Sequence, residues 1–235
     1  MKGKGSSSTS GAIRTAAGTH RTSTDEQMAG RTAKVTAATW VETAKRALIE
    51  EGIAGVKVDR LASRLGVTRG GFYHNFQDRD ELLGQLIESW EKTCEFLPPG
   101  SPGTTPSEAA AWLEGLIQRL IDEDGYDHHF DMAVREWARS DQRAAWAIER
   151  ADRNRMATLK LFFQALGYGS EEALIRARVF YYHHIGYYAI GVQQSTAERR
   201  RLAQLYVDIL CGAERLAAAR EARSQRVRKR ALASK

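Results

Sequence analysis

The sequence predicts an all-α protein in two helical parts, a small N-terminal three-helix unit and a larger C-terminal one. Three observations predict it. The four prolines of the 235 residues all fall between Pro98 and Pro106, so the rest of the chain is free to be helical. Apolar residues recur at 3.6-residue spacing, and no run alternates with period two for long. Glycines stand where the periodic runs stop, at Gly52, Gly66 and Gly167.

The elements follow in order. Residues 1–33 are rich in Ser, Thr, Gly and basic side chains and are read as a flexible basic arm, with too little apolar surface to offset ordering. From Thr36, the residues Trp40, Val41, Ala44, Leu48 and Ile49 share one helical face, and Gly52 ends the helix in the left-handed cap position. A short helix runs over Val58–Leu65, and a third over Arg69–Asn75. Asp78 caps a fourth, with Glu81 placed as in a capping box and Leu82, Leu83, Leu86, Ile87 and Trp90 as its stripe.

The Pro- and Gly-rich segment 97–103 is the strongest boundary, which sets the first unit at 34–94 and the second at 104–219. Pro106 suits a helix start, and Trp112, Leu113, Leu116, Ile117 and Leu120 follow at helical spacing. Further helices are expected over Phe130–Ala138, Arg143–Leu166, Glu171–Gln193 and Thr196–Ala219, and residues 220–235 are read as a basic tail that frays.

Composition narrows the function. A hydrophobic fraction of 43% supports a real core, and 35 basic against 29 acidic residues leave +6, a balance that favours phosphate-bearing partners. Cys94 and Cys211 form no C-x-x-C pair, so no disulfide framework is expected and a reducing compartment is. No apolar run suits a signal peptide or a bilayer span, which points to the cytoplasm and away from membranes. No nucleophile triad, phosphate loop or zinc spacing stands out, so no enzyme, cofactor or metal is expected. His183 and His184 are neighbours on an expected helix, point about 100° apart and chelate one ion poorly, and His128-His129, near Asp124, Asp127 and Asp131, are read as a solvated turn rather than a metal site.

The informative window is Val58–Phe76, VDRLASRLGVTRGGFYHNF. Leu61, Leu65, Val67 and Phe72 face inward, Ala62 lets two helices cross closely, and Gly66 takes the turn with φ > 0. That combination is a helix-turn-helix, whose second helix lies in a major groove. Thr68 and Arg69 stand at its N-terminus, where a phosphate is favoured. Gly70 and Gly71 admit close approach of DNA, at a helical cost of ~1 kcal/mol each relative to Ala. Tyr73 and His74 project outward, toward phosphate or a base edge.

Here the chain resembles the tetracycline-repressor (TetR) family, over about Trp40–Leu83. The resemblance rests on Glu50-Glu51-Gly52, Leu61-Ala62, Gly66-Val67-Thr68-Arg69-Gly70, Phe72-Tyr73-His74-Asn75-Phe76 and Arg79-Asp80-Glu81-Leu82-Leu83. It implies DNA contacts for Lys57, Thr68, Arg69, Gly70, Gly71, Tyr73, His74, Asn75 and Arg79. Lys57 departs from the family's capping Ser or Thr, Arg79 from its Lys, and Gly71 from its larger residues.

The resemblance also implies a C-terminal domain that binds a small-molecule effector and forms a homodimer. The expected pocket residues are Trp112, Leu116, Met132, Trp137, Phe163 and Tyr182. The expected dimer stripes are Leu174, Tyr181, Ile185, Tyr188 and Val192 on one helix, and Leu202, Leu205, Ile209 and Ala213 on the next. The implied function is a DNA-binding transcriptional regulator, a repressor of a palindromic double-stranded operator. The competing reading is a small-molecule or protein-binding helical module with a vestigial DNA head; gel shifts with genomic fragments separate the two.

Overall fold

A computed structural model describes residues 35–233, and the expected basic arm lies outside the described residues. The fold is all-α. Among the described residues there is no strand, only an isolated antiparallel bridge between Cys94 and Tyr126. The helices are α1 (Ala37–Glu51), α2 (Val58–Leu65), α3 (Arg69–Tyr73), α4 (Arg79–Thr93), α5 (Pro106–Asp122), α6 (His128–Trp137), α7 (Gln142–Ala165), α8 (Ser170–Ala189), α9 (Thr196–Cys211) and α10 (Ala213–Ala233), with a 3₁₀ turn at Ile53–Gly55.

Local chemistry accounts for the helix starts. Thr36 accepts from Thr39 N–H to open α1. Asp78 accepts from Glu81 N–H at 2.9 Å, while the Glu81 carboxylate reaches back to Gln77 N–H at 2.6 Å, so α4 has a reciprocal cap. Pro106 occupies the first turn of α5 behind a Thr105–Glu108 capping box, and Ser195–Glu198 repeats the device at α9. Hydrogen bonds from Thr104 N–H and from Thr105 hold the Glu108 carboxyl down at about 2, so this cap stays ionised at any ordinary pH.

The N-terminal helices close over Trp40, Ala44, Leu48, Leu61, Phe72 and Leu82, all buried. Trp40 meets Phe72 edge-on at 5.3 Å, and Phe72 stacks on Phe76 at 5.1 Å. Lys45 of α1 pairs with Asp127 at 2.6 Å and lies 5.1 Å over the Phe130 ring, which ties α1 to α6. Asp127 also accepts from Phe130 N–H; against the cost of burial, these bonds hold its carboxyl below the usual range.

The junction of α4, α6, α7 and α8 is built on charge. Asp131, wholly buried, accepts from Trp90 Nε1 at 2.8 Å, from the Tyr126 hydroxyl at 2.9 Å and from Arg135 Nε at 2.8 Å. Arg135 forks onto both oxygens of Asp152, and the Tyr181 hydroxyl donates to Asp152 at 2.5 Å. Arg155 is buried with its guanidinium 5.7 Å from Trp90 and 5.8 Å from Phe96, and it donates to the Cys94 carbonyl. Burial pushes the Tyr181 phenol and the Cys94 thiol each up to about 12.

Three expectations are corrected. The boundary segment begins inside the core: Phe96 and Leu97 are buried, and Arg119 donates to the carbonyls of Glu95 and Phe96. The helix expected over Thr196–Ala219 breaks at Gly212, where φ is +80° and a Cβ would collide with the Tyr168 hydroxyl. That hydroxyl donates to the Cys211 carbonyl at 2.8 Å, and the Tyr168 ring is sandwiched between the guanidinium groups of Arg176 and Arg215.

The fraying tail is instead helical to Ala233. Its Ala and Arg residues are good helix formers, and Leu216, Ala219, Arg223 and Arg226 hold it along α5, the last two through Glu114 and Glu108.

The break at Gly212 sets a test of packing. Gly212→Ala should cost about 2–4 kcal/mol, from positive-φ strain plus a displaced hydrogen bond. Chemical denaturation measures this, and Tyr168→Phe in the same chain should recover part of the loss. A Gly212→Ala protein as stable as the parent would show that the tyrosine does not force the break.

Candidate functional site

The helix-turn-helix is assembled from α2, a tight turn and α3. Gly66 takes φ +65° and ψ +29°, the left-handed conformation expected of it, and Val67 N–H donates to the Ala62 carbonyl at 3.0 Å. Leu61 and Phe72 are fully buried, and Ala62 is buried with them. Lys57 stands at the N-cap of α2 without a side-chain cap bond, the consequence of losing a hydroxyl there. Glu50 and Glu51 receive Arg60 and Arg64, which fasten α2 back onto α1.

The nine residues proposed for DNA separate into two groups. Lys57, Thr68, Arg69, Gly70, Tyr73 and His74 are exposed, Tyr73 at 55% despite its size, and Gly71 is half-buried beside them. Thr68 caps α3 with its backbone, and its side chain makes no cap bond. Arg69 pairs with Asp59 at 2.9 Å, a surface contact that sequence reasoning missed and that a phosphate can displace. Neither glycine has a positive φ, and a Cβ at either would make only ordinary contacts, at 3.6 Å from Thr68 for Gly70 and 3.8 Å from Val67 for Gly71. Nothing inside the protein therefore asks for glycine at these two positions.

Asn75 and Arg79 differ. The Asn75 amide donates to the carbonyls of Gly71 and Val35, closing α3 against the start of α1. Arg79 Nε donates to the Val56 carbonyl at 2.7 Å, holding the segment after the 3₁₀ turn. Both are half-buried and shape the interface from behind. No local signal in the sequence marks this, since the Val35, Val56 and Ile53 carbonyls lie 40, 23 and 26 residues away from their donors.

The second feature is a cavity of about 120 Å³ between α5, α8 and α9. Leu116 is the only one of the six expected pocket residues that lines it. Trp112 packs against Phe162, Phe163 against Phe162 and Tyr168, Trp137 is buried on α6, Met132 is half-buried there, and Tyr182 is 58% exposed. For Tyr182 the error is one of rotation: residues 180–184 read Phe-Tyr-Tyr-His-His, with no Asp, Glu, Lys or Arg to mark which face of α8 turns inward, while the other four are packed on α5, α6 and α7 away from the cavity.

The two histidine pairs split accordingly. His184 is buried, stacked 3.8 Å from Phe96, and burial pushes its pKa well below the ordinary histidine value. His183 faces Tyr206, and His128 stacks on Tyr188. The expected dimer stripe on α8 is turned by the same rotation: Tyr181 is buried, while Ile175, Val179 and Tyr182 are exposed at 54%, 51% and 58%. On α9, Leu205 and Ile209 are exposed as expected. Among the described residues no helix is long and apolar enough to cross a membrane.

A three-helix head with a helix-turn-helix, carried on a helical body with a cavity, defines the class of this protein. Residues 41–86 match the family described as bacterial regulatory proteins, tetR family. Two curated relatives from Pseudomonas putida are similar to it: the HTH-type transcriptional regulator TtgR and the probable HTH-type transcriptional regulator ArpR. Each is 29% identical over 91 residues, 39% of this chain, and the match spans 43% of that relative's length. The crystal structure of a transcriptional regulator from Rhodococcus sp. Rha1 shares the fold, with a TM-score of 0.54 at 20% identity over 75% of this chain and 94% of that one.

Proposed function

We propose that the protein is a cytoplasmic transcriptional repressor that binds a near-palindromic double-stranded DNA operator as a homodimer and is released by a small molecule in its helical body. The observation that carries this reading is the surface of α3, where Thr68, Arg69, Tyr73 and His74 stand outward around two glycines that no internal contact requires. The match of residues 41–86 to the tetR family supports it. On this reading Arg69 and Lys57 supply salt-sensitive attraction to phosphates, Tyr73 donates to a phosphate oxygen, and Thr68 and His74 meet base edges. Asn75 and Arg79 keep α3 at the right height.

The dimer uses the outward apolar residues of α8 and α9, namely Ile175, Val179, Tyr182, Leu205 and Ile209, packed against their symmetry mates. The two α3 helices then reach successive major grooves, roughly 34–36 Å apart. An effector releases DNA only by binding better to a state with a different head separation.

Selection of genomic fragments on the full-length protein, followed by anisotropy titration of the enriched duplex at several salt concentrations, tests this. The expected result is an inverted repeat, two protomers per duplex, and affinity falling steeply with salt. A salt-independent response, or no enriched sequence, rejects the reading.

A further inference from the structure

The cavity carries its own chemical specification. One wall is aliphatic: Leu113, Leu116, Ile117 and Leu120 of α5 line it with Ile121, a strip of about 12 Å at ~1.5 Å per residue. Polar side chains line it too. Arg199 of α9 is among them; its Nη1 is ion-paired with Glu123 Oε1 at 2.6 Å without a well-directed hydrogen bond, and its Nε is buried without a hydrogen-bond partner among the described residues. His184 of α8, 5% exposed, lines the same cavity with Nε2 also buried and unpartnered. The Tyr188 hydroxyl is already spent on Glu123, at 3.3 Å.

The unmet capacity of these side chains is donor capacity. An Arg Nε–H can only donate, and a neutral imidazole donates from Nε2 in one tautomer. Buried donors left unpartnered are costly, so they favour an acceptor brought by a ligand. That acceptor cannot comfortably be a carboxylate. Glu123 already neutralises Arg199, and a second buried anion beside it would be desolvated and repelled.

We propose that this cavity takes an uncharged amphipath, an aliphatic chain of medium length ending in a carbonyl-type oxygen, and that His184 Nε2 donates to the oxygen while the α5 wall holds the chain. The inference rests on the effector reading above, but it concerns binding to the protein alone and is measured without DNA.

Calorimetric titration of the full-length protein with 2-decanone and with decanoate, equal in chain length and different in head charge, tests it. The ketone should bind, and decanoate at least tenfold more weakly. Ala203→Trp, which fills the cavity from the half-exposed side of α9, should abolish ketone binding while the far-UV dichroism spectrum stays unchanged. His184→Phe keeps a ring against Phe96 and should weaken the ketone at least fivefold. Decanoate binding as tightly as the ketone, binding of neither probe, or ketone binding untouched in both variants overturns the proposal. A ketone that binds as specified but does not release the selected duplex supports the ligand class and rejects only the regulatory reading.

Discussion

Replacing Asp131 with alanine should destabilise the protein by about 3–5 kcal/mol, the cost of leaving buried cationic partners without their anion. The carboxylate accepts from Trp90 at Oδ1 and from Tyr126 and Arg135 at Oδ2, and Oδ1 also lies 4.0 Å from Arg155. Removing it leaves the half-buried Arg135 and the buried Arg155 to share Asp152, with only the half-exposed Glu95, 3.4 Å from Arg155, beside them. A domain of this kind has only about 5–15 kcal/mol in total, so the variant should unfold at much lower urea. Tyr126→Phe removes one donor to the carboxylate while keeping its ring, and should cost only about 1.5–2 kcal/mol. Equilibrium urea melts of the two variants check the contrast. An Asp131→Ala chain within about 1 kcal/mol of the parent would mean that water reaches the cluster and the charges are not truly buried.

The second large effect concerns DNA, and its two parts have opposite signs. Gly70→Ala with Gly71→Ala should raise stability by about 1–2 kcal/mol in sum, since each glycine in a helix is ~1 kcal/mol worse than alanine and neither added methyl meets an obstacle. The same pair should weaken binding to the selected duplex at least tenfold, because the methyls would stand between the α3 backbone and the groove. A destabilising pocket mutation cannot imitate this pattern: tighter folding with poorer binding points to the surface alone. Thermal melts and anisotropy titrations on the same preparation measure both. If affinity is unchanged, the glycines do not serve close approach and α3 is not the reading helix.

How far the sequence could be read depends on the range of the contacts involved. The head was legible because its pattern is local: Gly66 at the turn, Ala62 at the crossing, and Leu61 and Phe72 on one side lie within a dozen residues. The inward turn of Asn75 and Arg79 was not legible, because their partners are carbonyls at Val35, Gly71, Ile53 and Val56, exposed to them only by tertiary packing. The break at Gly212 depends on Tyr168, which lies forty-odd residues away in the chain. The phase of α8 failed for a different reason. Five consecutive aromatic or imidazole side chains give every rotation nearly the same hydrophobic face, and only the packed structure chooses among them.

The stacking of His184 on Phe96 has a mechanical consequence. Phe96 is two residues beyond Cys94, the C-cap of α4, and α4 is the helix that carries the head. A molecule that displaces the imidazole must displace the phenyl ring against it, for close-packed rings 3.8 Å apart leave no slack to absorb the movement. On the effector reading proposed above, this pair of touching rings would carry the push from the body's interior to the root of the head.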